Sequence, residues 1–236
     1  CGETGFFVLA SASQTDQREQ RHSFPHDKFD CARHSARNML GDTRMTNHSG
    51  KPIDVTVFGA TGFTGRLVAE YLSKTYPSGS GVTWAMAGRN ADKLAAVRDE
   101  IGAPADTTLL VADSSDRDAL RAVAAQSKVI LSTVGPYQLY GNELVEVCAE
   151  TGTDYVDLCG EPAWMHQIIG KHAEAAKASG ARIVLSCGFD SVPFDMGVFF
   201  LQQEAKKVFG APATTVAGRV LKMKGTFSFV VNSIKI

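Results

Sequence analysis

Three glycines in "VFGATGFTGRL", Gly59, Gly62 and Gly65, are spaced GxxGxxG between a short apolar run and a stretch with helical periodicity. Glycines in a strand-to-helix turn let backbone N–H groups approach a phosphate, and the helix amino end favours negative charge. Gly59 suits the tight turn, Gly62 a close approach to a pyrophosphate, and Gly65 the packing of the helix on the sheet. Thr61, Phe63 and Thr64 lie on the same turn and count with it as cofactor-binding candidates. The plainer reading is a tight turn whose glycines serve packing alone.

Which nucleotide would sit there is decided at the end of the second strand. An NAD site places Asp or Glu about 20 residues on, to accept from the ribose 2′-hydroxyl. This chain has "AGRN" there, without either acid. Arg89 can pair with a 2′-phosphate through a bidentate, charge-assisted contact, and Lys93 adds a second cation one helical turn later, so NADP is expected. At the end of the third strand, Asp113 either bonds the adenine edge or caps the following helix. The fourth strand ends "STVGPY", placing Ser132, Thr133, Val134 and Gly135 where backbone would pass the second half of a dinucleotide.

For a proton donor the candidates are Tyr137, just after that strand, and Asp157 and Glu161 in "DYVDLCGEP" at the end of the fifth. A strand end facing the cleft suits an acid or base. Equally, Asp157 and Glu161 can bond backbone of the next helix. Cys159 has no basic partner assignable from sequence, which argues against a nucleophile. Trp164, Ile168 and His172 share one helical face and read as packing. A Tyr-x-x-x-Lys pair, which a short-chain dehydrogenase would need, is absent: none of Tyr71, Tyr76, Tyr137, Tyr140 and Tyr155 has Lys four places on.

The elements that must position these residues alternate. Strand-like runs at 53–59, 82–88, 107–113, 128–134, 153–158 and 181–187 are separated by helical patterns at about 63–75, 90–101, 116–126, 140–151 and 162–179. Asn90 and Ser115 stand where helix caps are expected, and Gly180 closes the last helix. This predicts an α/β fold, a Rossmann-like doubly wound parallel sheet over 51–190. After it, 191–236 reads as a linking helix, about 193–208 with Pro193 and Asp195 in its first turn, and the start of a second α/β domain.

Residues 1–50 are polar and aperiodic and read as a disordered or non-native leader, with Met45 the expected natural start. His22, His26, Cys31 and His34 supply zinc-ligand atoms without the pattern of a finger, so no metal is expected. The "NHS" sequon at Asn47 stands without other secretory signals.

The 236-residue chain is 44% hydrophobic and 21% charged with a net charge of −1, which gives no footprint for nucleic acid. Five widely spaced cysteines without a CxxC argue against a disulfide framework and for a reducing compartment, taken as the cytoplasm. The partner expected is a small molecule, and the oligomeric state is not legible.

"VFGATGFTGRL", "AGRNADKL", "STVGPY", "YVDLCGE" and "CGFDSVPFDMG", in this order, resemble the saccharopine dehydrogenase-like oxidoreductases, in the group that includes trans-acting enoyl reductases and lipid-droplet relatives. The resemblance covers roughly residues 53–228. It implies an NADP-binding Rossmann domain followed by a substrate domain, with Gly59, Gly62 and Gly65 as the phosphate turn and Arg89 as the 2′-phosphate partner. It further implies hydride transfer to an enoyl or imine double bond of a lipid-linked or amino-acid-derived substrate, and peripheral association with a membrane or lipid droplet. After "KGTFS" the family leads one to expect a glycine-rich continuation and a longer domain; "FVVNSIKI" stands there instead. A non-catalytic NADP-binding module is the alternative reading.

Overall fold

The computed structural model describes residues 8–9, 48 and 50–218. The zinc-ligand set, the Asn47 sequon and nearly all of the expected leader lie outside these residues, as does the chain beyond Gly218. The described residues fall into two compact units, one ending at Phe189 and one holding Val8–Leu9 and the residues from Asp190 onward.

The larger unit alternates strand and helix as its sequence pattern predicts. Its elements are β1 (Ile53–Phe58), α1 (Phe63–Thr75), β2 (Trp84–Gly88), α2 (Ala91–Glu100), β3 (Thr108–Val111), α3 (Arg117–Gln126) and β4 (Ser127–Ser132). They continue with α4 (Tyr137–Tyr140), α5 (Asn142–Thr151), β5 (Asp154–Asp157), α6 (Pro162–Ser179) and β6 (Ile183–Val184). All ladders are parallel, in the order β3-β2-β1-β4-β5-β6. The order reverses between β1 and β4, and ligands bind at the carboxyl ends of strands flanking such a reversal.

Adjacent strand residues point to opposite faces, which gives the sheet two cores. Val57 and Met86 pack with Ala69 and Leu72 of α1 and Leu94 of α2. Phe58, Ala87, Ile130 and Tyr155 pack on the other side with Leu120 and Val123 of α3, Leu144 and Val147 of α5 and Ile168 of α6. A side chain as deeply buried as Leu94 contributes about 1.5–3 kcal/mol. Two polar groups inside this core satisfy each other: Thr56 Oγ1 and Ser127 Oγ lie 2.6 Å apart, and Ser127 also donates to the Val123 carbonyl.

Three local expectations change. Asp116, not Ser115, caps α3, accepting from the N–H groups of Asp118 and Ala119. The helix expected over 140–151 divides at Gly141, where a Cβ would stand 2.7 Å from Trp164 Cζ2. The strand expected over 181–187 shortens to Ile183–Val184, because Ser186 turns to a φ of 60° and donates its N–H to the Asp157 carboxylate instead of a ladder. The Asn90 cap, accepting from Lys93 N–H, and the left-handed Gly180 stand where expected.

In the second unit, α7 (Val192–Phe209) carries Pro193 and Asp195 in its first turn. Gln202 of α7 holds the returning chain through both the N–H and the carbonyl of Ala213, and Ala217–Gly218 pairs antiparallel with Val8–Leu9.

Candidate functional site

The glycine turn begins where β1 ends. Gly59 takes a φ of +88°, a region open to glycine and costly for other residues. Its N–H and that of Ala60 both donate to the Ala87 carbonyl of β2, at 2.9 and 3.1 Å. Gly62 N–H then donates to the Gly59 carbonyl at 2.9 Å and opens α1. A Cβ on Gly65 would fall inside contact distance of the Gly59 carbonyl and 2.8 Å from Thr133 Oγ1. The helix therefore lies directly against the strand end, as the packing role for Gly65 requires.

No side chain caps α1 and its first turn holds no acid. The leading N–H groups of a helix have no partner within it, so Phe63 and Thr64 begin a helix end suited to an anion. Thr61 is half-buried, whereas Gly62 and Phe63 are exposed. The cradle therefore fits a dinucleotide pyrophosphate: Gly59 and Gly65, where a Cβ would clash, Gly62, where it would crowd the Gly59 carbonyl at 3.3 Å, and a helix end with no competing carboxylate.

Arg89 follows β2 directly, and both it and Lys93 on α2 are exposed. Asp113 lies close enough to Arg89 for the cation to help hold its carboxyl below the usual range, a shift led by the Ser115 hydroxyl. Asp113 accepts from both the N–H and the hydroxyl of Ser115, at 2.9 and 2.7 Å, so it closes the turn after β3 and leaves capping to Asp116. The Ala112 N–H donates to the Gly88 carbonyl, which joins the ends of β2 and β3.

At the end of β4 the structure turns the polar groups inward. Ser132 is buried, and its carbonyl accepts from Tyr137 Oη at 3.1 Å. Thr133 donates its N–H to the Phe58 carbonyl and its hydroxyl to the carbonyls of Phe58 and Gly59. Val134 packs against Gly59, where a Cβ would come 2.6 Å from its Cγ2. Gly135 is exposed and precedes Pro136 through a cis peptide bond.

The three proton-donor candidates belong to one cluster at the ends of β4 and β5. Tyr137 is 4% exposed, its hydroxyl pushed well above the ordinary range by burial and by the nearby Asp157 charge. Its ring packs on Trp164 with centroids 5.5 Å apart. Asp157 is 2% exposed and accepts from Tyr155 Oη, Cys159 N–H and Ser186 N–H at 2.8–3.0 Å. Burial raises its carboxyl despite these donors. Glu161 accepts from the N–H groups of Tyr137 and Gln138 at the start of α4, and not from the following helix α6, to which the packing expectation would tie it. Cys159 is buried and pushed up to about 12, which fits the reading against a nucleophile.

Two members of this cluster go beyond the sequence reading: Ser186, with its left-handed backbone, carries no signal there, and Trp164, buried as its helical stripe with Ile168 predicts, also packs on Tyr137 and donates from Nε1 to Asn142 Oδ1 at 3.0 Å. Gly141 is the available hint to the second, since a glycine between two helices leaves room for a bulky neighbour.

A family model, the saccharopine dehydrogenase NADP-binding domain, matches residues 55–184, spanning the glycine turn, Arg89, the β4 end and the Asp157–Glu161 stretch. A putative trans-acting enoyl reductase of Mycobacterium tuberculosis is 43% identical over 179 residues, 75% of this chain and 42% of that protein. The trans-acting enoyl reductase of Mycobacterium leprae is 47% identical over 152 residues, 64% of this chain and 36% of that one. The chain thus spans about two fifths of the length of these curated relatives. Among solved structures, the apo histidine-tagged saccharopine dehydrogenase (L-Glu forming) of Saccharomyces cerevisiae has a TM-score of 0.48 at 19% identity, covering 67% of this chain and 32% of that one. With the family model spanning more than half of its residues, the chain belongs to the saccharopine dehydrogenase NADP-binding domain family, and its cofactor is NADP.

Proposed function

We propose that the chain is the cofactor-binding part of an NADP-dependent oxidoreductase that reduces an enoyl or imine double bond in a lipid-linked or amino-acid-derived substrate. The observation that carries the reading is a shared edge. The glycine turn and Arg89 both stand at the carboxyl ends of neighbouring parallel strands, with no acid at the end of β2 to select NAD. The names of the mycobacterial relatives support the enoyl substrate over the imine.

Bound NADPH supplies the hydride. In this reading the turn from Gly59 to Gly65, with Thr61, Phe63 and Thr64, holds the pyrophosphate. Arg89 and Lys93 hold the 2′-phosphate, Asp113 borders the adenine, and the backbone from Ser132 to Gly135 passes the nicotinamide half. The other atom of the substrate double bond takes a proton, for which Tyr137, Asp157 and Glu161 are the candidates. We place the protein in the cytoplasm, meeting its lipid substrate at a membrane or lipid-droplet surface.

A second reading, an NADP-binding module without turnover, is favoured by the internal bonds that occupy all three proton-donor candidates. Fluorescence titration with NADPH and NADH, followed by an NADPH-oxidation assay with enoyl thioesters, separates the readings. Turnover with NADPH supports the reductase. Tight NADPH binding without turnover supports the module, and a preference for NADH overturns the role given to Arg89.

A further inference from the structure

Thr133 stands at the end of β4, yet its hydroxyl faces the β1 turn. Its N–H donates to the Phe58 carbonyl at 2.9 Å, fixing the register of the two strand ends. Its Oγ1 lies 3.1 Å from the Phe58 oxygen and 3.3 Å from the Gly59 oxygen, so one hydroxyl proton is shared between two successive carbonyls. The Gly59 oxygen is also the acceptor for Gly62 N–H, the bond that closes the turn into α1. Moreover, Oγ1 fills the space left by two missing side chains: a Cβ would approach it to 2.9 Å from Gly59 and to 2.8 Å from Gly65.

These contacts set the two peptide planes that lead into the helix amino end. From the other side, the Ala87 carbonyl holds the N–H groups of Gly59 and Ala60. We infer that Thr133 is a positioning residue for the cofactor's diphosphate, acting through the Gly59 turn and not by touching the ligand. The inference rests on the NADP reading of the turn and adds to it a residue from a different strand. Its chemistry is specific to a hydroxyl. Valine has the same shape but puts a methyl where an oxygen now sits 3.1 and 3.3 Å from two carbonyl oxygens, and it donates nothing.

The test uses the whole chain with Thr133→Val, Thr133→Ala and Thr133→Ser, titrated with NADPH and with adenosine 2′-phosphate, which carries the 2′-phosphate but no diphosphate. Both hydroxyl-free variants are expected to bind NADPH about fivefold more weakly, the scale of one hydrogen bond. Thr133→Ser is expected to restore wild-type affinity, and adenosine 2′-phosphate to bind all four proteins alike. If Thr133→Val does not fold, Thr133→Ala decides, because it removes the hydroxyl without adding a methyl. Unchanged NADPH binding in the hydroxyl-free variants overturns the inference, as does an equal loss for adenosine 2′-phosphate or a failure of serine to rescue. A wild-type chain that does not bind NADPH overturns the cofactor reading, and this inference with it.

Discussion

Both carboxylate oxygens of Glu161 are held by the backbone that starts α4: Oε1 accepts from Tyr137 N–H at 2.7 Å and Oε2 from Gln138 N–H at 2.9 Å. One side chain from the β5–α6 loop thereby fixes the segment that follows β4, and with it the buried Tyr137 ring. Glu161→Ala leaves both N–H groups without an acceptor and is expected to cost about 1–2 kcal/mol, read as a lower urea midpoint. Glu161→Gln keeps one acceptor oxygen and should lose about half as much.

Among the described glycines, Gly65 has the least room for a side chain. Its Cβ would meet the Gly59 carbonyl, a backbone group that cannot rotate aside. Gly65→Ala should therefore destabilise the unit by roughly 2 kcal/mol or more and abolish detectable NADPH binding, measured by urea unfolding and fluorescence titration. Gly170, with open space around its Cβ position on α6, is the control: Gly170→Ala is expected to be neutral or stabilising.

Arg89→Ala should weaken NADPH about tenfold or more while leaving NADH unchanged, because the lost pair is to the 2′-phosphate alone. Equal losses for the two nucleotides would assign Arg89 to the turn's stability instead. Asn90, which caps α2 next to it, should not respond in this way: Asn90→Ala lowers stability without changing the NADPH to NADH ratio.

Asp157 links buried charge to pH. Burial raises its carboxyl above the ordinary aspartate value, so the folded state holds the proton longer than the unfolded chain does. The stabilisation is complete below the unfolded value and is lost as pH climbs through the raised folded one. The stability of wild type minus that of Asp157→Asn should therefore fall as pH rises through this interval and level off above it. Taking the difference cancels carboxylates shifted the other way, such as Asp54 beside Lys128 and Glu146 beside Arg117. A flat difference would remove the burial argument.

The parts of this fold that were legible in the sequence depend on neighbours within one helical turn or one strand. The Asn90 cap, the Gly180 stop, Pro193 in the first turn of α7 and the alternation of Val57 with Phe58 are all settled by residues a few places away. The Ser115 expectation failed locally: Asp113, Ser115 and Asp116 all suit a turn, and Ser115 became a donor to Asp113 while Asp116 took the cap. The site's remaining features are contacts between segments far apart. Glu161 reaching Tyr137 and Asp157 drawing Ser186 out of a ladder have no periodicity to betray them, while the helical stripe that predicts a buried Trp164 does not say that it fills the space above Gly141. Thr133 was legible as a residue at the switch point, but the direction of its hydroxyl was not.

The double grip on Gly59, from Ala87 on one side and Thr133 on the other, also bears on how quickly a ligand can be held. A turn whose peptide planes are already fixed has little conformational entropy left to lose when a diphosphate arrives. Capture is then governed by diffusion and orientation, and nucleotides that share the diphosphate should enter at similar rates. On the proposed reading, what separates them is residence time, set by whether Arg89 finds a 2′-phosphate to hold.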